Sequence, residues 1–128
     1  MVPPAMKIVP VIKCSDLKVS YRFYTDILGF TAMHGDDPET DPVIDLARGA
    51  ARVQLSSMAG DSVFGVAINV EVDDLDPLFA EFLSRGLDTS GRENSPVHRG
   101  PIDQTWGSRE FYVTDPDGNT LRFRSWPK

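Results

Sequence analysis

The sequence has few histidine and cysteine side chains, although both types are common metal ligands and catalytic groups. The chain has one cysteine, Cys14, and two histidines, His34 and His98. A divalent metal bound by oxygen and nitrogen requires three or four side chains that converge at about 2.0–2.2 Å. His34 ends a predicted strand and His98 lies in a predicted loop, so we interpret both as surface or groove histidines. No side chain stands out as a catalytic general base.

The first half of the chain predicts one βαβββ unit. Lys7 to Cys14 is rich in β-branched residues and predicts a strand, and Ser15-Asp16 supplies a helix N-cap. Apolar side chains then recur at helical spacing until Gly29, a typical helix stop: Leu17, Tyr21, Tyr24 and Leu28. Three strands are predicted next, over Phe30 to Gly35, Val43 to Arg48 and Ala51 to Ser57.

The same order of elements repeats in the second half. Gly65 to Val72 predicts a strand, and Asp73-Asp74 caps a helix that ends before Gly86 and buries Leu75, Leu78, Phe79, Phe82 and Leu83. A weak strand near Arg92 to Ser95 precedes a hairpin whose turn is Asp115-Pro116-Asp117-Gly118-Asn119. We predict a single domain over residues 1–128, with repeat 1 at about 7–57 and repeat 2 at about 64–125.

Two stretches together carry a family resemblance. One is the terminal hairpin, Trp106 to Arg124, and the other is Tyr24-Thr25-Asp26-Ile27-Leu28-Gly29-Phe30 near the other end of the chain. Both resemble the vicinal oxygen chelate superfamily, which includes glyoxalases, extradiol dioxygenases and bleomycin-resistance binding proteins. The resemblance implies an α+β fold in which two βαβββ modules form a curled mixed β-sheet cup with outer helices. It also implies a homodimer.

The metal positions of that superfamily are largely lost here. The resemblance places the ligand positions on Val9 (or Pro10 if the register is off by one), Ala67, Gln54 and Arg122. Of these residues only Gln54 offers a usable lone pair, because a guanidinium cannot be deprotonated. With Trp106-Gly107 before the hairpin, the chain looks closest to the bleomycin-resistance type. We therefore expect no metal and no cofactor.

The resemblance implies sequestration of an aromatic antibiotic, with no catalytic residue. Trp106 is the expected stacking platform, since a planar ligand gains contact area on an indole. The other expected binding residues are Phe64, Phe30 and Tyr112 as walls, Gln54, Arg122 and Arg109 as hydrogen-bonding groups, His34 if Phe30 lines the groove, and Asp36 in an acidic lip. Phe30 is equally compatible with the core. Arg122 needs an anionic partner, either a protein carboxylate or an acidic ligand group, so the sign of the ligand's charge stays open.

Two rival functions remain open at this point. One is a glyoxalase-type lyase or dioxygenase that uses unrecognised ligands, or a metal-free catalyst in which Arg122 and Gln54 polarise a carbonyl. The other is a regulatory protein that binds a metabolite and reports it to another protein.

Charge and composition restrict the partners. With 13 basic and 19 acidic side chains, the net charge of −6 argues against nucleic acid or an anionic membrane. The single cysteine excludes an internal disulfide and favours the cytoplasm, and the chain shows neither a signal peptide nor a membrane-spanning stretch.

Trp126 is interpreted as a packing or interface residue. The prolines near the start of the chain, Pro3, Pro4 and Pro10, predict a stiff arm that could reach across a partner subunit.

Overall fold

The computed structural model describes residues 2–128 and contains the two predicted βαβββ modules. The first module consists of β1 (Val11–Lys13), α1 (Leu17–Arg22), a π-helical turn (Phe23–Ile27), β2 (Thr31–Ala32), β3 (Val43–Arg48) and β4 (Ala51–Ser56). The second consists of β5 (Ala67–Glu71), α2 (Leu75–Ser84), α3 (Pro96–Arg99), β6 (Ile102–Asp103), β7 (Arg109–Thr114) and β8 (Thr120–Ser125). The α+β prediction is thereby confirmed. Within residues 2–128, no helix is both long and apolar enough to cross a bilayer.

Each module forms its own four-stranded mixed sheet with the same topology. The strand orders are β1-β4-β3-β2 and β5-β8-β7-β6, and in each sheet the first strand runs parallel to the last. Val11 lies opposite Gln54 in the first sheet, and Asn69 lies opposite Arg122 in the second. Gln54 and Arg122 therefore occupy equivalent places in the two modules.

One face of each sheet packs into a shared hydrophobic core. Alternate strand residues point to opposite faces, so the buried face of the first sheet carries Ile12, Ile44 and Leu55. The second sheet buries Phe111, Val113, Leu121 and Phe123, and the rings of Phe111 and Phe123 stack with their centroids 5.1 Å apart. The opposite face of each sheet carries polar side chains and is turned away from this core.

The helix limits follow the predicted signals closely. Asp16 is the N-cap of α1, and its carboxylate accepts a hydrogen bond from the Lys18 amide at 3.1 Å. Gly29 ends the helical segment with a φ of +73°, a conformation that favours glycine. The prediction for α2 needs one correction, because the Leu83 side chain is 45% exposed and is not part of the buried face.

Three predicted strands differ from the structure. No strand forms over Arg92 to Ser95; instead the Ser95 amide donates to the Arg92 carbonyl in a turn, and Pro96 begins α3. Proline fits the first turn of a helix but cannot donate a hydrogen bond to a strand ladder. β1 and β2 are also shorter than predicted, since regular pairing starts only after Pro10 and ends at Ala32.

The hairpin turn of the second module contacts the strand-helix corner of the first. Tyr24 Oη donates to Asp115 Oδ2 at 2.8 Å, and Ser15 Oγ donates to Asp117 Oδ1 at 2.6 Å. Asn119 Nδ2 donates to the Lys13 carbonyl at 3.1 Å. These contacts fix the two modules relative to each other.

Candidate binding face of the second sheet

The outer face of the second sheet brings together three of the predicted binding residues, Trp106, Tyr112 and Arg122. Along β7 and β8, every second residue points away from the core, which places Glu110 opposite Arg124 and Tyr112 opposite Arg122. Asn69 and Glu71 of β5 complete the rows beyond the two arginines. We call these six residues, together with Trp106 at the sheet edge, the polar face.

Trp106 is exposed but held in place. It lies in the turn before β7, and 59% of its surface is accessible to solvent. Its indole Nε1 donates to Glu110 Oε2 at 3.0 Å, while Gly107 turns the chain with a φ of +106°. The result is a large aromatic surface whose orientation is set before any ligand arrives.

Glu110 is the buried acceptor of this face, and sequence reasoning missed it. Only 3% of the residue is exposed, and its carboxylate accepts hydrogen bonds from Trp106, Ser108 Oγ and Tyr112 Oη, the last at 3.1 Å. Burial alone would raise the pKa of Glu110, but these three donors and nearby Arg124 hold it below its ordinary value. The alternation that places Tyr112 on this face also places Glu110 there, so the signal was available.

Tyr112 lies at the centre of the polar face. The Arg122 guanidinium carbon is 5.9 Å from the centroid of its ring, and the His98 ring meets it edge-on at 5.9 Å. Burial and the hydrogen bond to Glu110 raise the pKa of Tyr112. Burial, with a smaller effect from Arg92, lowers the pKa of His98, so its imidazole is uncharged at neutral pH.

A second polar group lies on the outer face of the first sheet. Gln54 Nε2 donates to Asp45 Oδ1 at 3.0 Å, and His34 Nε2 lies 3.3 Å from Asp45 Oδ2. Asp36 is half-buried in the loop that follows His34. Of the predicted residues, Gln54, His34 and Asp36 thus belong to the first module, away from Trp106.

The remaining predicted residues lie elsewhere. Phe64 is 51% exposed in the loop between the modules, with Lys13 Nζ 5.5 Å from its ring centroid. Phe30 is buried in the core and lines a crevice of about 300 Å³ between the modules. Arg109 is ion-paired with Asp76 and Asp103 on the core side of β7, so it holds α2 to the sheet.

The residues at the superfamily's metal positions do not fit a divalent metal. Val9 and Ala67 have no donor atom, Arg122 has no lone pair to give, and the Gln54 amide is hydrogen-bonded to Asp45. Across residues 2–128, no three His, Cys, Asp or Glu side chains come close enough together to hold a metal ion.

The chain thus consists of two βαβββ modules with equivalent sheets, and each sheet has polar side chains on its outer side. This architecture defines a class of duplicated α+β proteins that bind or convert small molecules. Residues 8–123 match the model of the Glyoxalase/Bleomycin resistance protein/Dioxygenase superfamily. The chain belongs to this superfamily, which confirms the resemblance inferred from its sequence.

Similar proteins include bleomycin resistance proteins. The one from Geobacillus stearothermophilus is 29% identical in an alignment that covers 90% of this chain and 92% of that protein. The structure of a bleomycin resistance determinant encoded on transposon Tn5 superposes with a TM-score of 0.76 at 23% identity, covering 97% of this chain and all of the other. A bleomycin-binding protein from Streptomyces verticillus, solved with copper(II)-bleomycin, has a TM-score of 0.68 at 27% identity, covering 99% of this chain and 100% of that one.

Proposed function

We propose that this protein binds an aromatic antibiotic and sequesters it without changing it chemically. The observation that carries the proposal is the exposed Trp106 indole, anchored by Glu110 beside Tyr112 and Arg122. A rigid aromatic surface bordered by polar groups is typical of small-molecule sites, because stacking supplies affinity and the polar groups supply orientation. The similarity to bleomycin resistance proteins supports bleomycin as the first compound to test.

We further propose that binding needs no metal supplied by the protein. The donor set at the superfamily's ligand positions supports this view, since three of the four residues cannot coordinate an ion. The copper in the Streptomyces verticillus complex is named as part of the ligand, copper(II)-bleomycin.

A homodimer is the assembly we propose for this function. Within one chain, the two sheets share a core on their inner sides. Their outer sides, one of which is the polar face, therefore do not face each other. A two-fold dimer would let the first sheet of one copy face the second sheet of the other. Because a two-fold interface is reciprocal, the same contact would form twice. Gln54, His34 and Asp36 would then line the same crevice as Trp106 of the partner. The single, buried Cys14 favours the cytoplasm as the place of action.

Calorimetric titration with metal-free bleomycin tests the proposal. The protein is first dialysed against a chelator, and we expect a dissociation constant of about 1 μM or tighter, because weaker binding would not sequester a drug. Trp106→Ala should weaken binding about 30-fold, the effect typical of an aromatic binding hot spot. Trp126→Ala is the matched control, since Trp126 is 46% exposed and contacts Glu71 and Arg124 but none of Trp106, Tyr112 and Arg122, and it should bind like the wild type.

Equal affinity of the two tryptophan variants would remove Trp106 from the site. Metal-free bleomycin that binds the undialysed protein but not the dialysed protein would contradict metal independence, and the absence of any binding would refute bleomycin as the ligand.

A further inference from the structure

The Arg122 guanidinium on the polar face has no ionic partner in the protein. Its Nε is buried and finds no hydrogen-bond acceptor, as is also true of Arg124 Nε. Arg124 is ion-paired with Glu71 through Nη2, whereas Arg122 takes part in none of the ion pairs formed within residues 2–128. A buried donor without an acceptor is costly, so native structures usually satisfy it. The position of Arg122 in the middle of an open sheet face makes an acceptor from outside the chain possible.

The two carboxylates on the neighbouring strands are already engaged. Glu71 accepts from Arg124 Nη2 at 3.1 Å and from Trp126 Nε1 at 3.3 Å. Glu110 is occupied by Trp106, Ser108 and Tyr112. Each acidic group therefore has donors of its own, and the Arg122 guanidinium lies beside Tyr112, with its carbon 5.9 Å from the ring centroid.

A polar neighbour extends the surface around Arg122. Asn69 lies directly opposite Arg122 on β5 and is exposed, and its amide can donate two hydrogen bonds. Tyr112 lies opposite Arg122 on β7, and it donates a hydrogen bond to Glu110, which also accepts one from Trp106. An anion on Arg122 and an aromatic ring on Trp106 would thus lie along one face of the sheet.

We infer that Arg122 and Asn69 form an anion subsite that receives the acidic group, such as a carboxylate or sulfonate, of an aromatic ligand. This inference rests on the proposed function, because the ring of the same ligand would occupy Trp106. The acidic group supplies the missing acceptor for Arg122, and hydrogen bonds between charged groups are about twice as strong as neutral ones. The net charge of −6 repels anions at long range, so the selectivity arises locally at Arg122.

Two matched probes separate the anion subsite from the aromatic platform. 2-Naphthoate and 2-naphthamide share one planar ring system and differ in charge, and both are titrated calorimetrically at low salt. We expect naphthoate to bind about tenfold more tightly than naphthamide, the range of one hydrogen bond to a charged group. Arg122→Gln should abolish this difference while naphthamide binding stays within about twofold, whereas Arg124→Gln, on the same strand and face but paired with Glu71, should retain it.

Other outcomes of the titration are decisive in different ways. If naphthamide binds and naphthoate binds no better, the anion subsite is refuted and the aromatic platform stands. If Arg122→Gln keeps the preference for naphthoate, the acidic group binds elsewhere and the inference is wrong.

A direct measurement on the guanidinium does not depend on the aromatic platform. The Nε–Hε resonance of Arg122, assigned by its loss in Arg122→Gln, is followed by NMR during titration with sodium sulfate against sodium chloride of equal ionic strength. Sulfate should shift this resonance saturably and leave that of Arg124 in place. An unmoved Arg122 resonance would overturn the subsite even if both naphthalene probes fail to bind. A saturable shift of that resonance would uphold the subsite even if the proposed function fails.

Discussion

At the scale of single residues, Glu110 determines the geometry of the polar face. Its buried carboxylate is shared by Trp106, Ser108 and Tyr112, so two aromatic side chains take their orientation from one acceptor. A carboxylate can accept from several donors at once, which no other side chain of similar size does as well. The proposed platform for an aromatic ligand is therefore built by an acidic residue that is itself almost inaccessible.

Replacing Glu110 should cost both stability and affinity. Glu110→Gln puts an NH₂ group among three donors, and we expect a loss of about 1–3 kcal/mol in the free energy of unfolding. Bleomycin binding should weaken several-fold, because Trp106 loses its fixed orientation. Chemical denaturation and calorimetry provide the two measurements. Glu71→Gln is the matched control, since Glu71 also accepts from a tryptophan but is largely exposed, and its cost should stay below about 0.5 kcal/mol.

The same residue gives a pH dependence with a defined sign. The folded-state pKa of Glu110 lies below its ordinary value of 4.5, so its contribution to stability is complete above that value. The contribution is lost as the pH falls through the lower, folded-state pKa. The stability difference between wild type and Glu110→Gln should therefore narrow between pH 6 and pH 3. A difference that widens on acidification would show that the pKa of Glu110 is raised instead.

The sequence predicts individual binding residues unevenly. Strand alternation separates Tyr112 from Phe111 and Val113 and puts Arg122 on the face of Arg124, but only the register shows that Tyr112 and Arg122 share a face. The ion pair of Arg109 with Asp76 joins two distant segments, which alternation does not reveal. The partners of Glu110 all lie within four residues of it, so its place on this face could have been read from the strand pattern. Whether these residues bind a ligand stays a prediction.

At the scale of secondary-structure elements, two equivalent helices begin differently. Asp16 caps α1 with a hydrogen bond to the Lys18 amide, whereas the Asp74 side chain makes no such bond at the start of α2. We predict that Asp16→Ala lowers stability by about 1 kcal/mol, the usual value of an N-cap. The loss corresponds to about 4 °C in the melting temperature.

Asp74→Ala is the control for this prediction. It removes a carboxylate near a helix N-terminus but no capping bond, so its cost should be about 0.5 kcal/mol or less. Thermal melts followed by circular dichroism compare the two variants. Equal losses would mean that helix-dipole effects, and not the hydrogen bond of Asp16, account for the stabilisation.

Elements with strong local signals were predictable, and elements made by tertiary pairing were not. Capping residues and glycine stops defined α1 and α2, and the turn sequence at Asp115 defined the β7–β8 hairpin. β6 was not predicted, and β2 was predicted longer than it is; each contains two residues and pairs with β7 and β3, respectively. Short edge strands of this kind carry too few residues for a periodic pattern.

At the scale of the whole molecule, the two stretches that carried the family resemblance contact each other. Tyr24 donates to Asp115, and the same turn binds Ser15 through Asp117. The turn of one module thus completes the corner of the other, which explains how a duplicated chain forms one core instead of two independent halves. The exposed sheet faces are left on the outside of this unit, available to a second copy.

The N-terminal arm provides the sharpest test of the proposed dimer. Val2, Met6 and Ile8 are each about 90% exposed, an unusual state for apolar side chains in a folded chain. If the arm packs on a partner, light scattering during gel filtration should give about 28 kDa, twice the 14.2 kDa of one chain. Deleting residues 2–8 should then halve the mass, whereas Val63→Ser, at an exposed apolar residue outside the arm, should not. A full-length monomer would refute the dimer, and a dimer that survives the deletion would show that the facing sheets hold the two copies together without the arm.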